Sequence, residues 1–175
     1  MSRKPNRFTV AVHYIIAKCG DPRKLGSTKL NKILWFADVY AYRFFEESIT
    51  GSKYLRRQYG PVPEKILRVL EQLENEGKIS INKKIAVYDP VIYTSLESPD
   101  ISALSEDQIG LLNSLIDQIC NGYSANEISH VSHDDVWKAA IDGEEIPLNA
   151  TLMSESANCT PEVLSWASQV IAEHE

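Results

Sequence analysis

The chain has 175 residues, of which 43% are hydrophobic and 24% charged, and carries a net charge of −6. That length suits one domain with its own core and is short for two, and no run approaches the roughly 20 apolar residues of a membrane span. The basic start, Met1 to Arg7, is not followed by the apolar run and small-residue cleavage site of a secretory signal. Three cysteines (Cys19, Cys120 and Cys159) are an odd count at wide spacing, with no Cys-x-x-Cys pair. They read as reduced thiols in a cytoplasmic protein.

The net charge hides a polarity. Residues 1–89 hold 17 Lys and Arg against 9 Asp and Glu, whereas residues 90–175 hold one base, Lys138, against 15 acids. One end can attract phosphates or acidic surfaces and the other repels them, unless the halves fold together and neutralise each other.

Phe8, Val12, Ile15 and Ile16 fall at helical spacing in a first helix, Phe8 to Lys18, broken by Gly20-Asp21-Pro22. A second helix starts at an N-cap near Ser27 and runs to about Phe45, with a core stripe of Leu30, Ile33, Leu34, Ala37, Ala41 and Phe44. Trp35, Phe36, Val39 and Tyr40 widen that surface, so this helix is central and contacted on more than one side. After a turn at Ser48–Ser52, Lys53 to Tyr59 is short and extended. Gly60-Pro61-Val62-Pro63 reads as the start of a third helix, with Val62, Ile66, Val69, Leu70 and Leu73 buried and Gly77 at its end. Ile79–Ile81 and Ile85–Tyr88 read as a β-hairpin with Lys83-Lys84 at the tip, and Val91–Tyr93 as a further short strand.

The acidic half is helical. Ser105–Gln108 and Ser124–Glu127 are capping boxes, the first opening a helix through Ile109, Leu112, Ile116 and Ile119 to Gly122. Ser132 caps a third short helix through Val136, Trp137 and Ala140, ended by Gly143. Glu144 to Cys159 reads as irregular, and Thr160-Pro161-Glu162 opens a terminal helix. The sum is an α+β fold, predominantly α-helical, as a single domain with a small winged-helix-like hairpin. Residues 1–146 make up its body, with the hairpin near 79–93, and residues 147–175 are an irregular segment plus a C-terminal helix packed on it.

Catalytic signals are missing. There is no Gly-x-Ser-x-Gly, no phosphate-binding glycine loop and no cysteine in an activating context. His130, His133, Asp134 and Asp135 lie close together, but a helix start at Ser132 separates the two histidines and spoils a shared metal face. We expect no catalytic residues, no metal and no cofactor. The chain reads as a binder of another macromolecule. Direct DNA binding is one form of this, through a winged-helix arrangement with Lys65 and Arg68 on one face of the third helix and Lys53, Arg56 and Arg57 before it. Glu64, Glu71, Glu74 and Glu76 on that helix weigh against phosphate contact.

The stretch Lys29-Leu30-Asn31-Lys32-Ile33-Leu34-Trp35-Phe36-Ala37-Asp38 resembles the KLxKLLYFAD signature of the Panacea (SocA-like antitoxin, phage-associated) family. Ile49-Thr50-Gly51, then Tyr54, then Tyr59-Gly60-Pro61-Val62-Pro63 is similar to that family's I-x-G, Y and YGPV elements. Ser132-His133, Asp135 and Trp137-Lys138 resemble its SH, D and W element. The order holds from Val10 to Ile146; Trp35 stands where the pattern has Tyr, and Pro147 to Glu175 is unmatched.

The resemblance implies an antitoxin of a type II toxin–antitoxin system, which neutralises a protein toxin encoded nearby by direct binding. It leaves open a proteolytic adaptor and a transcriptional regulator as alternatives. Leu30, Phe36, Gly51, Gly60, Pro61, Ser132, His133 and Trp137 are then structural. Lys29, Asn31, Lys32, Trp35, Asp38, Tyr54, Arg56, Arg57 and Tyr59 form the partner-binding set, polar and aromatic groups of the kind that make interface hot spots. Pairing of Asp38 with Arg56 or Arg57 inside the fold is the competing role for those residues.

Overall fold

The computed structural model of the protein describes residues 5–82, 90–153 and 165. Helix α1 spans Arg7–Lys18 and is capped by Asn6, whose side chain accepts the Phe8 N–H at 2.9 Å. A short 3-10 turn at Pro22–Lys24 leads into α2, Gly26–Phe45. Ser27 does not cap this helix. Gly26, at φ +62°, swings the chain directly from the turn into α2, so Leu25 occupies the cap position without a side-chain bond and Ser27 lies in the first turn.

As its breadth of apolar residues predicts, α2 is buried nearly all round, from Lys29 and Leu30 through Lys32–Ala41. It packs against α1, the helices at Glu106–Gly122 and Ala125–Val131 and the strand at Gly60–Pro63, so the core is built around it.

Gly60–Pro63 is not a helix start. It is strand β2, antiparallel to β1 (Tyr54–Arg57), with Tyr54 opposite Pro63 and Arg57 opposite Gly60. Gly60 takes φ +103°, which no first-turn helical residue adopts, and closes the two-residue turn Gln58-Tyr59. Two prolines are tolerated because β2 is an edge strand. Helix α3 therefore begins later, at Ile66, and runs to Asn75 with Ile66, Val69, Leu70 and Leu73 buried as expected. Lys65 sits at its cap position rather than on a shared helical face with Arg68.

Strand β3 (Ile79–Asn82) pairs antiparallel with β4 (Ile92–Ser95), Ile79 opposite Ser95. The expected strand at 85–88 and the lysine tip lie outside the described residues. Both capping boxes are present: Ser105 with Gln108 opens α4 (Glu106–Gly122), and Ser124 with Glu127 opens α5 (Ala125–Val131).

Ser132 is a correction. It closes α5, fully buried, and donates its hydroxyl to the Ser129 carbonyl at 2.7 Å. Asp134 caps α6 (Asp135–Ala139) instead, accepting from Trp137 N at 2.8 Å. A carboxylate two residues on is the better cap because the Ser132 hydroxyl is already committed. This helix stops before Gly143, at Ala139.

Residues 144–153 are more ordered than their composition suggests. Glu145–Ile146 forms β5, paired to β1, and Leu148–Met153 a 3-10 turn. The sheet order is β2-β1-β5, all antiparallel. The expected terminal helix lies, apart from helical Ser165, outside the described residues. No helix among the described residues is long and apolar enough to cross a membrane.

Candidate functional site

Asp38 is the polar centre of the core. Helix α2 carries it fully buried, and the turn after the helix returns to meet it. The Thr50 N–H donates to Oδ1 at 2.9 Å, the Thr50 hydroxyl donates to Oδ2, and the Tyr54 hydroxyl lies 2.7 Å from Oδ2. Burial pushes the carboxyl pKa up, and these hydrogen bonds act against the rise. The same burial, with the Asp38 charge beside it, holds the Tyr54 phenol well above its usual range. Trp35 meets Tyr54 edge-on, ring centroids 5.0 Å apart. Asp38 thus pairs with Thr50 and Tyr54, not with Arg56 or Arg57, and fixes the start of β1 to α2.

Lys32, one turn and a half earlier, fixes the far end of the hairpin. Its ammonium donates to the Pro61 carbonyl at 3.1 Å and is 1% exposed. A Cβ on Gly60 would collide with Lys32 Nζ and with Ser132 Oγ, so α2, β2 and the end of α5 meet where there is room for a glycine alone. Desolvation pushes the Lys32 pKa down to about 7.

The β1–β2 tip emerges from this buried base. Ser129 of α5 donates its hydroxyl to the Tyr59 carbonyl at 2.8 Å, and the Trp137 indole N–H of α6 donates to the Arg57 carbonyl at 3.2 Å. The His133 ring stacks on Trp137 at 3.7 Å and 7°, and the Arg56 guanidinium lies 4.2 Å from the Trp137 ring centroid. Arg56 Nε also donates to the Trp137 carbonyl at 3.0 Å. Burial, then Lys32, His130 and Arg56, hold the His133 pKa below its ordinary value, so the stacked ring is neutral near pH 7.

With its backbone so held, the tip presents Arg57 and Tyr59 to solvent, Tyr59 61% exposed. Val131 of α5 and Ile141 after α6 are also exposed.

The residues of the sequence-derived partner set fall into two layers. Lys29, Lys32, Trp35, Asp38 and Tyr54 are buried, and Asn31 and Arg56 are half-buried. Arg57 and Tyr59 are exposed. Lys29 ties α2 to α4 through the Cys120 carbonyl at 3.2 Å. Asn31 Oδ1, Trp35 Nε1 and His133 Nε2 are buried without a hydrogen-bond partner among the described residues. In the structural set, Leu30, Phe36, Gly60, Pro61 and Ser132 are buried, His133 and Trp137 half-buried, and Gly51 is an exposed turn residue at φ +65°. Ser129 carries no signal in the sequence, because nothing local distinguishes it from any helix-end residue; only the tertiary fold brings it to the tip. Thr50 carried a signal, lying between the motif residues Ile49 and Gly51.

The tight hairpin on a buried lysine and aspartate, clamped by a Ser-His-x-x-x-Trp element, accounts for the whole succession of motifs. Residues 30–138 match the family described as Antitoxin SocA-like, Panacea domain. The match spans more than half of the chain, and the protein belongs to that family. No curated protein matches the chain, and no solved structure does.

Proposed function

We propose that this protein is an antitoxin that neutralises a cytoplasmic protein toxin by binding it through the β1–β2 tip and the adjoining ends of α5 and α6. Membership of the antitoxin family supports the role. The observation that carries the binding mode is that the carbonyls of Arg57 and Tyr59 are each held by a side chain from a different helix while their own side chains stay exposed. A rigid tip carrying an arginine and a tyrosine loses little entropy on binding, and these residue types dominate hot spots. Exposed Asp142, 3.7 Å from Arg56, and exposed Glu144, whose carbonyl accepts the Arg56 N–H, supply a polar rim. In this reading α2 and the base of β1 form the scaffold and the tip makes the contact.

Co-expression with the product of the neighbouring reading frame tests the function. The neighbouring product alone should arrest growth, co-expression should restore it, and the two proteins should purify as one complex. Arrest that persists, or rescue in which the neighbouring protein disappears rather than accumulating in complex, contradicts neutralisation by binding.

A further inference from the structure

We propose that Cys19 and Cys120 form a reversible oxidation site, at which a peroxide converts the two thiols to a disulfide joining the end of α1 to the last turn of α4. Cys19 is the C-cap residue of α1 and Cys120 lies two residues before the end of α4. They are 101 positions apart in sequence, yet their sulfurs lie 3.0 Å apart as free thiols. A disulfide needs about 2.0 Å between sulfurs, so closure asks the two sulfurs to approach by roughly one ångström.

The two thiols are unequal in a way that suits the chemistry. Cys19 is half-buried and reachable, whereas Cys120 is 6% exposed. The hydrogen bond shared with Cys120 lowers the Cys19 pKa; burial and Asp21 oppose this, and Lys29 and Lys24 reinforce it. The same contact pushes the Cys120 thiol up. Lys29 Nζ donates to the Cys120 carbonyl at 3.2 Å and Lys24 Nζ to Asn121 Oδ1 at 2.9 Å, so both cations are anchored beside the pair. Cys19 is therefore the thiolate that meets the oxidant, and Cys120 the thiol that resolves it.

The Cys19 thiolate attacks one peroxide oxygen; the O–O bond breaks, and the departing hydroxide takes up a proton to leave as water. Cys19 is now a sulfenic acid. The Cys120 sulfur attacks the Cys19 sulfur, the S–O bond breaks, and the expelled hydroxide carries off the Cys120 proton as a second water. Two thiols and one hydrogen peroxide give one disulfide and two waters.

The site shares no residue with the hairpin tip, and its chemistry does not depend on what the tip binds. Linking residues so far apart in sequence restricts the unfolded chain strongly.

The test treats the full chain with equimolar hydrogen peroxide, folded and in urea, followed by intact mass and non-reducing peptide mapping. The folded protein should lose about 2 Da (two hydrogens), give a linked Cys19–Cys120 peptide, and return to the starting mass with dithiothreitol. Its Tm should rise by roughly 10 °C, and Cys159→Ser should behave identically. In urea the link should not form at that dose. A folded protein that keeps all its thiols, a link that involves Cys159, or equal linking in urea would each overturn the assignment.

Discussion

Burial takes the Lys32 ammonium out of water and gives it the Pro61 carbonyl, a neutral partner, in exchange. Its folded pKa, about 7, therefore lies far below the 10.5 of an unfolded lysine. Between those values the unfolded chain holds a proton that the folded protein does not, so stability is fully present above the unfolded pKa and falls as pH drops towards 7. Relative to Lys32→Met, which has no such proton, the wild type should gain about 2 kcal/mol between about pH 7 and 9 in urea titrations. A difference that stays flat across that interval would show a lysine charged in the fold. Gly60, directly above Lys32, makes the complementary prediction. Ala there is strained at φ +103° and meets Lys32 Nζ and Ser132 Oγ, so Gly60→Ala should cost about 3 kcal/mol, read as a lowered urea midpoint. Asp38 was legible as a polar group on an apolar helix, but its partner was not. The sequence offers arginines nearby, but the fold lays Arg56 on Trp137 and leaves Arg57 in solvent while bringing Thr50 and Tyr54 to Asp38.

At the scale of elements, α6 is five residues long and cannot stand as an isolated helix. It persists because Asp134 caps it and Trp137 docks it on β1. Trp137→Ala removes the stack on His133, the Arg56 contact and the bond to the Arg57 carbonyl together. It should cost about 3 kcal/mol and raise amide exchange in α6 and the hairpin tip, while α1 and α4 keep their protection. Uniform loss of protection would mean that α6 belongs to the core rather than to the clamp. The regular helices were readable from periodicity and from two capping boxes, because those signals are local. Gly60–Pro63 differs for a physical reason: Gly-Pro suits a helix start and an edge strand equally, and pairing with β1 decides between them. Ser132 differs likewise: a serine two residues before Asp-Asp has the pattern of a cap, but its hydroxyl bonds backward to the Ser129 carbonyl.

At the scale of the molecule, the basic and acidic halves of the sequence meet among the described residues. Lys53 pairs with Glu145 at 2.7 Å and Arg56 approaches Asp142 at 3.7 Å, so basic and acidic halves meet along β1 and β5. Surface pairs of this kind add little stability, but they leave the region around the tip mixed in charge. A surface of that kind suits a protein partner better than a continuous phosphate backbone, whose binding would fall steeply with salt. The layered site explains why a family signature can be rich in polar residues and still be largely structural: Lys32 and Asp38 hold the two ends of the hairpin from beneath. In the proposed function, its exposed tip carries the recognition. The direct test is the affinity of the neighbouring-frame protein for the double variant Arg57→Glu, Tyr59→Ala, titrated by calorimetry beside the wild type with both Tm values recorded. The account predicts at least a roughly 100-fold loss of affinity, a few kcal/mol at the interface, with Tm unchanged within a few degrees. Wild-type affinity in the folded double variant would contradict it.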